Sequence, residues 1–344
     1  MSCFSLGVGI GTKNKQEEWL EVFYPKPLLS PSEAIVHAVR ASIPNLANST
    51  THIELSNKSC NTLKQAFNHA GATDLVKIMG FLENSIHPRM LTFLATDDKP
   101  SSTPEAYLKL HLLSHRLVKP HAVNIDGIFS LLPNVAWTSE GAIDIKELPE
   151  RQLQARAEGR TLSVNSVDKF PKMTDYVVPE GTRIAHTARI RLGAYVGEGT
   201  TVMHEGFINF NAGTDGKSMV EGRISAGVFV NEGSDLGGGC STMGTLSGGN
   251  KTIISVGKNC LIGANAGLGI PLGDRCIVEA GLYLTAGSKV ELLDDQQTIV
   301  KTLKARDLSS HHDLLFRRNS LTGAIECLTN KTSVVLNTEL HDHN

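Results

Sequence analysis

Glu221 and Arg223, near the middle of the chain, carry side chains suited to proton transfer and anion binding. A carboxylate can accept a proton from an amine, and a guanidinium can hold a carboxylate through two parallel hydrogen bonds. Because only one residue separates them, they could equally form a surface ion pair with each other. From these residues alone, both interpretations stay open.

A glycine-rich segment and a group of cations follow. Gly238, Gly239 and Ser241 could bring backbone N–H groups close to a carbonyl or an oxyanion, or form a flexible corner loop. The later basic residues could bind phosphate groups, or be ordinary surface charges. They are Lys304, Arg306, Arg317 and Arg318.

A six-residue repeat of apolar side chains must position these groups. Neither an α-helix (period about 3.6) nor an ordinary strand (period about 2) gives a strict period of six. A triangular coil does, with one apolar residue per flat side pointing inward and turns about 4.8 Å apart. The repeat residues are Val178, Ile184, Ile190, Val196, Val202 and Ile208, then Leu272, Val278, Leu284 and Val290.

The repeat is interrupted at 209–218 and again at 236–250. Insertions in such a coil are expected to emerge as loops, often on the face that binds a ligand. The spacing returns between and after them, at Ile224, Val230, Leu236, Val256 and Ile262.

Four regions follow from these patterns. We expect a mixed α/β region over 1–110, with helices from about Ala34, over 61–81 and from Thr103. A connecting region, 111–175, contains a charged helix over 147–158. The coil spans 176–292. A short C-terminal extension, 293–344, carries the basic group, a helix or loop at 301–307 and a hairpin around Thr322 and Gly323.

Composition excludes several classes of function. The 33 basic and 35 acidic residues nearly balance, which argues against nucleic acid or a membrane surface as partner. We find no signal peptide and no membrane-spanning run of apolar residues. The six cysteines show no metal-ligand spacing, so we expect reduced thiols in a cytoplasmic protein.

Strings outside the repeat are more specific than the repeat itself. They are MHEGF (203–207), NFNAGT (209–214), MVEGRIS (219–225), GANAG (263–267), EAGLY (279–283) and LFRRNS (315–320). Together they closely resemble the longer-chain branch of the tetrahydrodipicolinate N-succinyltransferases, which are left-handed parallel β-helix acyltransferases. The resemblance is strong over 165–327; over the N-terminal third it rests on size and general pattern.

The resemblance implies a reaction and an assembly. The family transfers the succinyl group of succinyl-CoA to the amine of ring-opened tetrahydrodipicolinate, a dicarboxylate, giving N-succinyl-2-amino-6-oxopimelate and CoA on the route to diaminopimelate and lysine. Its members are homotrimers with active sites between neighbouring coils, and cyclic symmetry would bury an exposed coil face.

The resemblance also implies roles for individual residues. Glu221 matches the family's catalytic glutamate; we favour a proton acceptor or orienting group over the covalent acyl-anhydride also proposed for the family. Arg223 would bind a substrate carboxylate, and Gly238 and Ser241 would face the ligand. The remaining matches place CoA along a groove of small residues that ends in cations. They are Ala264, Glu279, Ala280, Gly287, Lys304, Arg317, Arg318, Asn319 and Ser320.

Glu205 matches a glutamate that the family places at the trimer axis, where three copies can hold a Mg²⁺-like ion. The family pairs it with an aspartate one coil turn earlier, and this chain has Ala188 there. One carboxylate ring would remain instead of two, so a metal, if bound, would be structural.

Three alternatives remain. A γ-type carbonic anhydrase could use the stacked His186 and His204, but its zinc site needs a further close pair, and no other histidine lies between 205 and 310. Another hexapeptide acyltransferase could use acetyl-CoA or act on sugar nucleotides, although such enzymes commonly use a histidine base. A non-catalytic scaffold would lack chemistry at Glu221.

Overall fold

The computed structural model describes residues 3–43, 46, 50–244 and 252–329. Contacts divide the chain into two compact units. The first comprises 1–117, 122–171 and 175–177; the second comprises 118–121, 172–174 and 178–344. Most of the region that the sequence set apart as a connection, 111–175, therefore packs within the first unit.

The first unit contains a five-stranded antiparallel sheet of order β2-β1-β5-β4, with β3 paired to β1, and a three-stranded sheet of order β7-β6-β8. Its strands are β1 (Ser5–Lys13), β2 (Trp19–Phe23), β3 (Leu28–Leu29), β4 (Thr51–Glu54), β5 (Arg89–Leu94), β6 (Val135–Thr138), β7 (Gly141–Asp144) and β8 (Val164–Asp168). Its helices are α1 (Glu33–Ser42), α2 (Asn57–His69), α3 (Thr73–Leu82), α4 (Thr103–Ser114), α5 (Ile128–Leu131) and α6 (Leu148–Ala157).

The helix expected over 61–81 is wrong as a single element. It is two helices, α2 and α3, separated by a turn in which Gly71 has a φ of 71°. That left-handed conformation suits glycine and interrupts helical hydrogen bonding. The helices near Ala34, from Thr103 and over 147–158 are confirmed as α1, α4 and α6.

The second unit is the coil. Its strands are β9 (Arg183–Ile184), β10 (Tyr195–Val196), β11 (Thr200–Val202), β12 (Phe207–Ile208), β13 (Gly213–Thr214), β14 (Ser218–Val220), β15 (Arg223–Ile224), β16 (Phe229–Val230), β17 (Asp235–Leu236), β18 (Ser241–Thr242), β19 (Ser255–Val256), β20 (Leu261–Ile262), β21 (Gly267–Gly269), β22 (Ile277–Val278) and β23 (Tyr283–Thr285). They form three parallel sheets: sheet 1 (β9, β11, β14, β17, β20, β22), sheet 2 (β12, β15, β18, β21, β23) and sheet 3 (β10, β13, β16, β19). One face per sheet gives the triangular coil.

The first expected loop, 209–218, is wrong. These residues continue the coil, since Val196 pairs with Thr214 and Thr200 pairs with Ser218. Thr214 occupies the inward position that elsewhere holds an apolar residue, and its hydroxyl lies 2.8 Å from that of Thr200. This position is missed when the six-residue repeat is traced through apolar residues only.

The six-residue spacing of the inward residues is broken at the next corner of the coil instead. The inward residues Val220 and Ile224 are four positions apart rather than six, so the corner between them is two residues shorter than usual. The second insertion also begins later than expected, because Thr242 still keeps the spacing from Leu236. A hydrogen bond from Ile254 N to Gly244 O closes the base of this insertion, and 245–251 lie outside the described residues.

The C-terminal extension caps sheet 1 with four strands: β24 (Lys289–Leu293), β25 (Ile299–Lys304), β26 (Leu314–Arg318) and β27 (Ile325–Thr329). The expected helix or loop at 301–307 is mostly wrong, because β25 pairs antiparallel with β24 and only a short 3-10 turn, Ala305–Leu308, follows. The hairpin is confirmed as β26 and β27; 330–344 lie outside the described residues.

All six cysteines are buried free thiols. Among the described residues, no helix is both long and apolar enough to cross a membrane.

Candidate active site

The predicted residues gather mainly on one edge of the coil, where each turn passes from sheet 1 to sheet 2. We call this the Glu221 edge; its successive corners are 203–206, 221–222, 237–240, 263–266 and 279–282. The end of β26 and the start of its hairpin turn, 317–319, stack on the last of these corners. Backbone hydrogen bonds join these corners: Gly239 N donates to Glu221 O (3.2 Å), Asn265 N to Gly238 O (2.9 Å) and Gly281 N to Ala264 O (2.8 Å).

Glu221 occupies the shortened corner and is half-buried. Its neighbour Gly222 packs tightly against the next turn: a Cβ there would lie 2.3 Å from Cys240 Sγ and 2.5 Å from Cys240 O. Only glycine fits, so the backbone that carries Glu221 is held firmly. Beyond the carboxylate lies Gly238, whose own Cβ would be 3.6 Å from Glu221 Oε2.

Arg223 lies beside this corner on the outer face of sheet 2. It pairs in register with Ser241, and its Nε donates to Ser241 Oγ at 3.1 Å. The ion pair that the sequence left open is not formed: none joins Glu221 to Arg223 in the described structure. The guanidinium is exposed, where it can meet an anion.

Small residues follow Glu221 along the edge. Ala264 and Ala280 are exposed, and a Cβ on Gly263 would come within 2.4 Å of Ala280 N, so successive corners lie in close contact. Glu279 has a structural partner, because its Oε2 accepts a hydrogen bond from Arg318 N at 2.7 Å. Four turns separate Glu221 from Arg318, roughly 19 Å at the usual strand spacing.

The basic group that the sequence treated as one cluster is divided between two corners. Lys304 and Arg306 lie beside Gly287, where Ala305 N donates to Ser288 O and Arg306 N donates to Ala286 O. This corner lies at the other side of sheet 2. Arg317 and Arg318 instead lie at the far end of the Glu221 edge.

Two residues of the LFRRNS string stabilise the hairpin. Arg317 Nε and Asn319 Nδ2 each donate at 2.7 Å to the buried carboxylate of Glu326, and these contacts, that of Asn319 foremost, hold the pKa of Glu326 below its usual value. Asn319 Oδ1 also accepts from the turn at Leu321 N. Ser320 is exposed beside it.

Glu205 lies one turn before Glu221. His204 Nδ1 lies 2.8 Å from one carboxylate oxygen and Arg189 2.6 Å from the other, and these contacts, His204 first, lower the pKa of Glu205. His186 and His204 lie one above the other on the same face as expected, with ring centroids 5.1 Å apart and the rings edge to face. Both carboxylate oxygens of Glu205 thus have partners within the chain, and among its described residues no three potential ligand side chains cluster.

Sequence reasoning missed two contributors to this region. Cys240 supports the Glu221 corner from inside, and the half-exposed ring of Tyr283 covers Gly267 on sheet 2. In both cases the sequence signal was a glycine one coil turn away from the larger side chain. It can be recognised only when the strand register is known.

Comparisons with known proteins show which families this chain is similar to. Family models match at 33–130 (tetrahydrodipicolinate N-succinyltransferase, N-terminal), at 132–172 (the same family, middle) and at 253–286 (hexapeptide repeat of succinyl-transferase). The N-terminal match extends the family similarity to the N-terminal third of the chain, where the sequence had shown similarity only in size and general pattern.

Relatives named 2,3,4,5-tetrahydropyridine-2,6-dicarboxylate N-succinyltransferase are similar over almost their whole length. That of Pseudomonas aeruginosa is 64% identical over 343 residues (100% of this chain, 99% of the relative). That of Vibrio cholerae is 58% identical over 344 residues, covering 100% of both. A crystal structure from Campylobacter jejuni, described as a 2,3,4,5-tetrahydropyridine-2-carboxylate N-succinyltransferase, superposes with a TM-score of 0.89 at 31% identity, over 96% of this chain and 93% of that one.

Proposed function

The chain belongs to the tetrahydrodipicolinate N-succinyltransferase family, and we propose that the Glu221 edge is its active site. The enzyme transfers the succinyl group of succinyl-CoA to tetrahydrodipicolinate in the succinylase branch of lysine and diaminopimelate biosynthesis. The observation that carries the assignment of the site is the shortened corner that fixes Glu221 on the edge where the small residues Ala264 and Ala280 and the cation Arg318 also lie.

Glu221 accepts the proton of the attacking amine. When the amine adds to the thioester carbonyl, nitrogen becomes positively charged and must lose a proton before CoA leaves. Its carboxylate is half-buried and has no ion pair with Arg223, so it is placed to take that proton. The thioester is already activated, and the amine needs no covalent relay through the enzyme.

Arg223 binds a carboxylate of the acceptor or of the succinyl group, and Ser241 orients its guanidinium. The Gly238 backbone lies beside the Glu221 carboxylate without a side chain in the way, which leaves room for the reacting carbonyl.

CoA lies along the small corners at Ala264 and Ala280. Its phosphates meet the cations Lys304, Arg306 and Arg318. Glu279, Arg317 and Asn319 shape this end mainly by bracing the hairpin, as their contacts with Arg318 N and Glu326 indicate. Gly287 has no side chain and Ser320 has a small one, so neither residue blocks the group of cations beside which it lies.

The active assembly is a homotrimer of left-handed coils in the cytoplasm. In support, Met219, Leu261, Ile277 and Leu315 place partly exposed apolar side chains along the outer face of sheet 1, which a neighbouring coil would cover. Six buried, unpaired thiols suit a reducing compartment.

A free-thiol assay with purified protein, tetrahydrodipicolinate and either succinyl-CoA or acetyl-CoA tests the function. We expect CoA release that requires the acceptor and is faster with succinyl-CoA. Faster release with acetyl-CoA would contradict the donor, and no release from correctly assembled protein would contradict the reaction.

A further inference from the structure

A column of small polar side chains runs inside the coil at the corner where each turn passes from sheet 3 to sheet 1. Its members are Thr200, Ser218, Ser234, Cys260 and Cys276, one per turn, and all are buried. The column lies away from the Glu221 edge and has no part in the proposed reaction.

The last three members of the column, Ser234, Cys260 and Cys276, follow a regular hydrogen-bonding scheme. Ser234 Oγ donates to Gly257 O at 2.6 Å and accepts from Cys260 N at 2.9 Å. Cys260 Sγ repeats this one turn later, donating to Gly273 O at 3.1 Å and accepting from Cys276 N at 3.3 Å. Cys276 Sγ then donates to His311 O at 3.2 Å. Because the Ser234 hydroxyl makes the same hydrogen bonds, this corner of the coil does not require thiols.

Two thiols at consecutive positions create a new chemical feature. Leu261 pairs with Ile277, so the preceding cysteines lie side by side on neighbouring parallel strands. Such strands are about 4.8 Å apart, within the Cα–Cα range of about 4.4–6.8 Å that a disulfide spans. The two backbones therefore need little movement to be joined.

We propose that Cys260 and Cys276 form a redox-sensitive dithiol that closes to an intramolecular disulfide when the protein meets a peroxide. The other four cysteines are not part of this pair.

The chemistry balances with hydrogen peroxide as the oxidant. The Cys276 thiolate attacks one peroxide oxygen, which gives a sulfenic acid and, after protonation, one water. The Cys260 sulfur then displaces the second water, and two thiols plus one peroxide become one disulfide plus two waters. The contact with the Cys260 side chain lowers the pKa of Cys276, and the pKa of Cys260 is raised, so we assign Cys276 as the attacking group.

Burial determines the conditions for this reaction. Both sulfurs are fully buried, so oxidation requires a brief opening of the corner and proceeds slowly. In a reducing compartment the pair stays as thiols. Reaction with peroxide is thus a response to sustained oxidative exposure, and a thiol reductant reverses it.

The test exposes native protein to hydrogen peroxide, removes the peroxide with catalase, denatures the protein and titrates its thiols. Wild type is expected to fall from its six thiols to four, and peptide mass mapping should show Cys260 joined to Cys276. Dithiothreitol should restore all six.

Serine variants supply matched controls. Since serine already serves at position 234, Cys260→Ser should keep the fold, lose only the Cys276 thiol as a sulfenic acid, and give no peptide joined to Cys276. Burial, and after it the charge of Cys276, raises the pKa of Cys327, so Cys327→Ser is the control for a neighbouring thiol and should still lose two thiols. Retention of all thiols by wild type after prolonged exposure, irreversible oxidation without cross-linking, or a joined peptide containing Cys327 would overturn the proposal.

Discussion

The coil and the N-terminal unit place their polar groups in opposite ways. In the described coil residues between 178 and 292, the buried polar side chains carry only hydroxyls or thiols, and charged groups lie at corners and outer faces. The N-terminal unit buries Glu21, Glu105, Lys109 and His111 beneath its helices and strands. The narrow coil leaves no room to enclose a solvated charge, so its charged groups stay at the surface. In the N-terminal unit, buried titratable groups are part of the core.

This contrast locates function and stability in different units. Changes of charge on the coil edge should affect turnover with little effect on folding. Changes of charge inside the N-terminal unit should affect folding, because a buried ion that loses its partner is strongly destabilising.

The largest expected effect is on catalysis. Glu221→Gln should lower kcat by roughly 100-fold or more, because the amine loses its proton acceptor, while CoA binding measured by calorimetry stays near wild type. Glu232→Gln is the control: Glu232 is an exposed glutamate at a different corner of the coil. A turnover loss of equal size in both variants would show that charge in general, rather than Glu221, matters.

The next effect is on stability. Lys109 is 1% exposed, and its Nζ donates to Asp97 Oδ1 (2.6 Å) and Asn124 O (2.8 Å). Lys109→Met leaves these acceptors unpaired and should lower the free energy of unfolding by about 3 kcal/mol in urea titrations. The exposed coil residue gives a matched substitution, Lys258→Met, which should change it by less than about 0.5 kcal/mol.

A third effect depends on pH. Burial raises the pKa of Glu21 from 4.5 to about 7, although Thr12 and Tyr176 donate hydrogen bonds to it. The folded carboxyl keeps its proton to higher pH than the unfolded one. Its contribution to stability is therefore full below pH 4.5 and is lost as the pH rises through about 7.

Between pH 5 and 8 this loss amounts to about 2–3 kcal/mol. His111, whose pKa burial lowers to about 3, acts in the opposite direction as the pH falls. The measurement is therefore the difference between wild type and Glu21→Gln at each pH. If that difference stays constant from pH 5 to 8, the Glu21 carboxyl does not titrate there.

The smallest expected effect concerns metal. Both carboxylate oxygens of Glu205 already have partners in Arg189 and His204. Excess MgCl₂ should leave the melting temperature unchanged in wild type and in Glu205→Gln. A magnesium-dependent rise of the melting temperature in wild type that is absent from Glu205→Gln would contradict this prediction and support a metal site at Glu205.

Much of the coil could be predicted because its pattern is local. Most inward residues are read directly from the sequence, and the specific strings carry the family resemblance. Val178, the first residue of the expected repeat, does not point inward, because it is 74% exposed. The other errors arose where the inward residue is polar, as at Thr214, or where a corner is shortened, as between Val220 and Ile224. Both require knowledge of which strands pair.

The candidate site was predicted in part for the same reason. Glu221, Gly238, Ala264 and Ala280 share an edge because of the repeat. The separation of Lys304 from Arg317, and the bond of Arg317 to Glu326, depend on a hairpin that closes over the end of the coil. No local pattern in the sequence specifies that contact.

The most direct test of Glu221 as a proton acceptor is rapid mixing of the enzyme with succinyl-CoA, with and without tetrahydrodipicolinate, followed by acid quench and mass spectrometry of the protein. We expect CoA release only when the acceptor is present, and protein of unchanged mass at every time point. A burst of CoA without acceptor, accompanied by a succinyl group on the peptide that contains Glu221, would contradict the proposal and establish a covalent route.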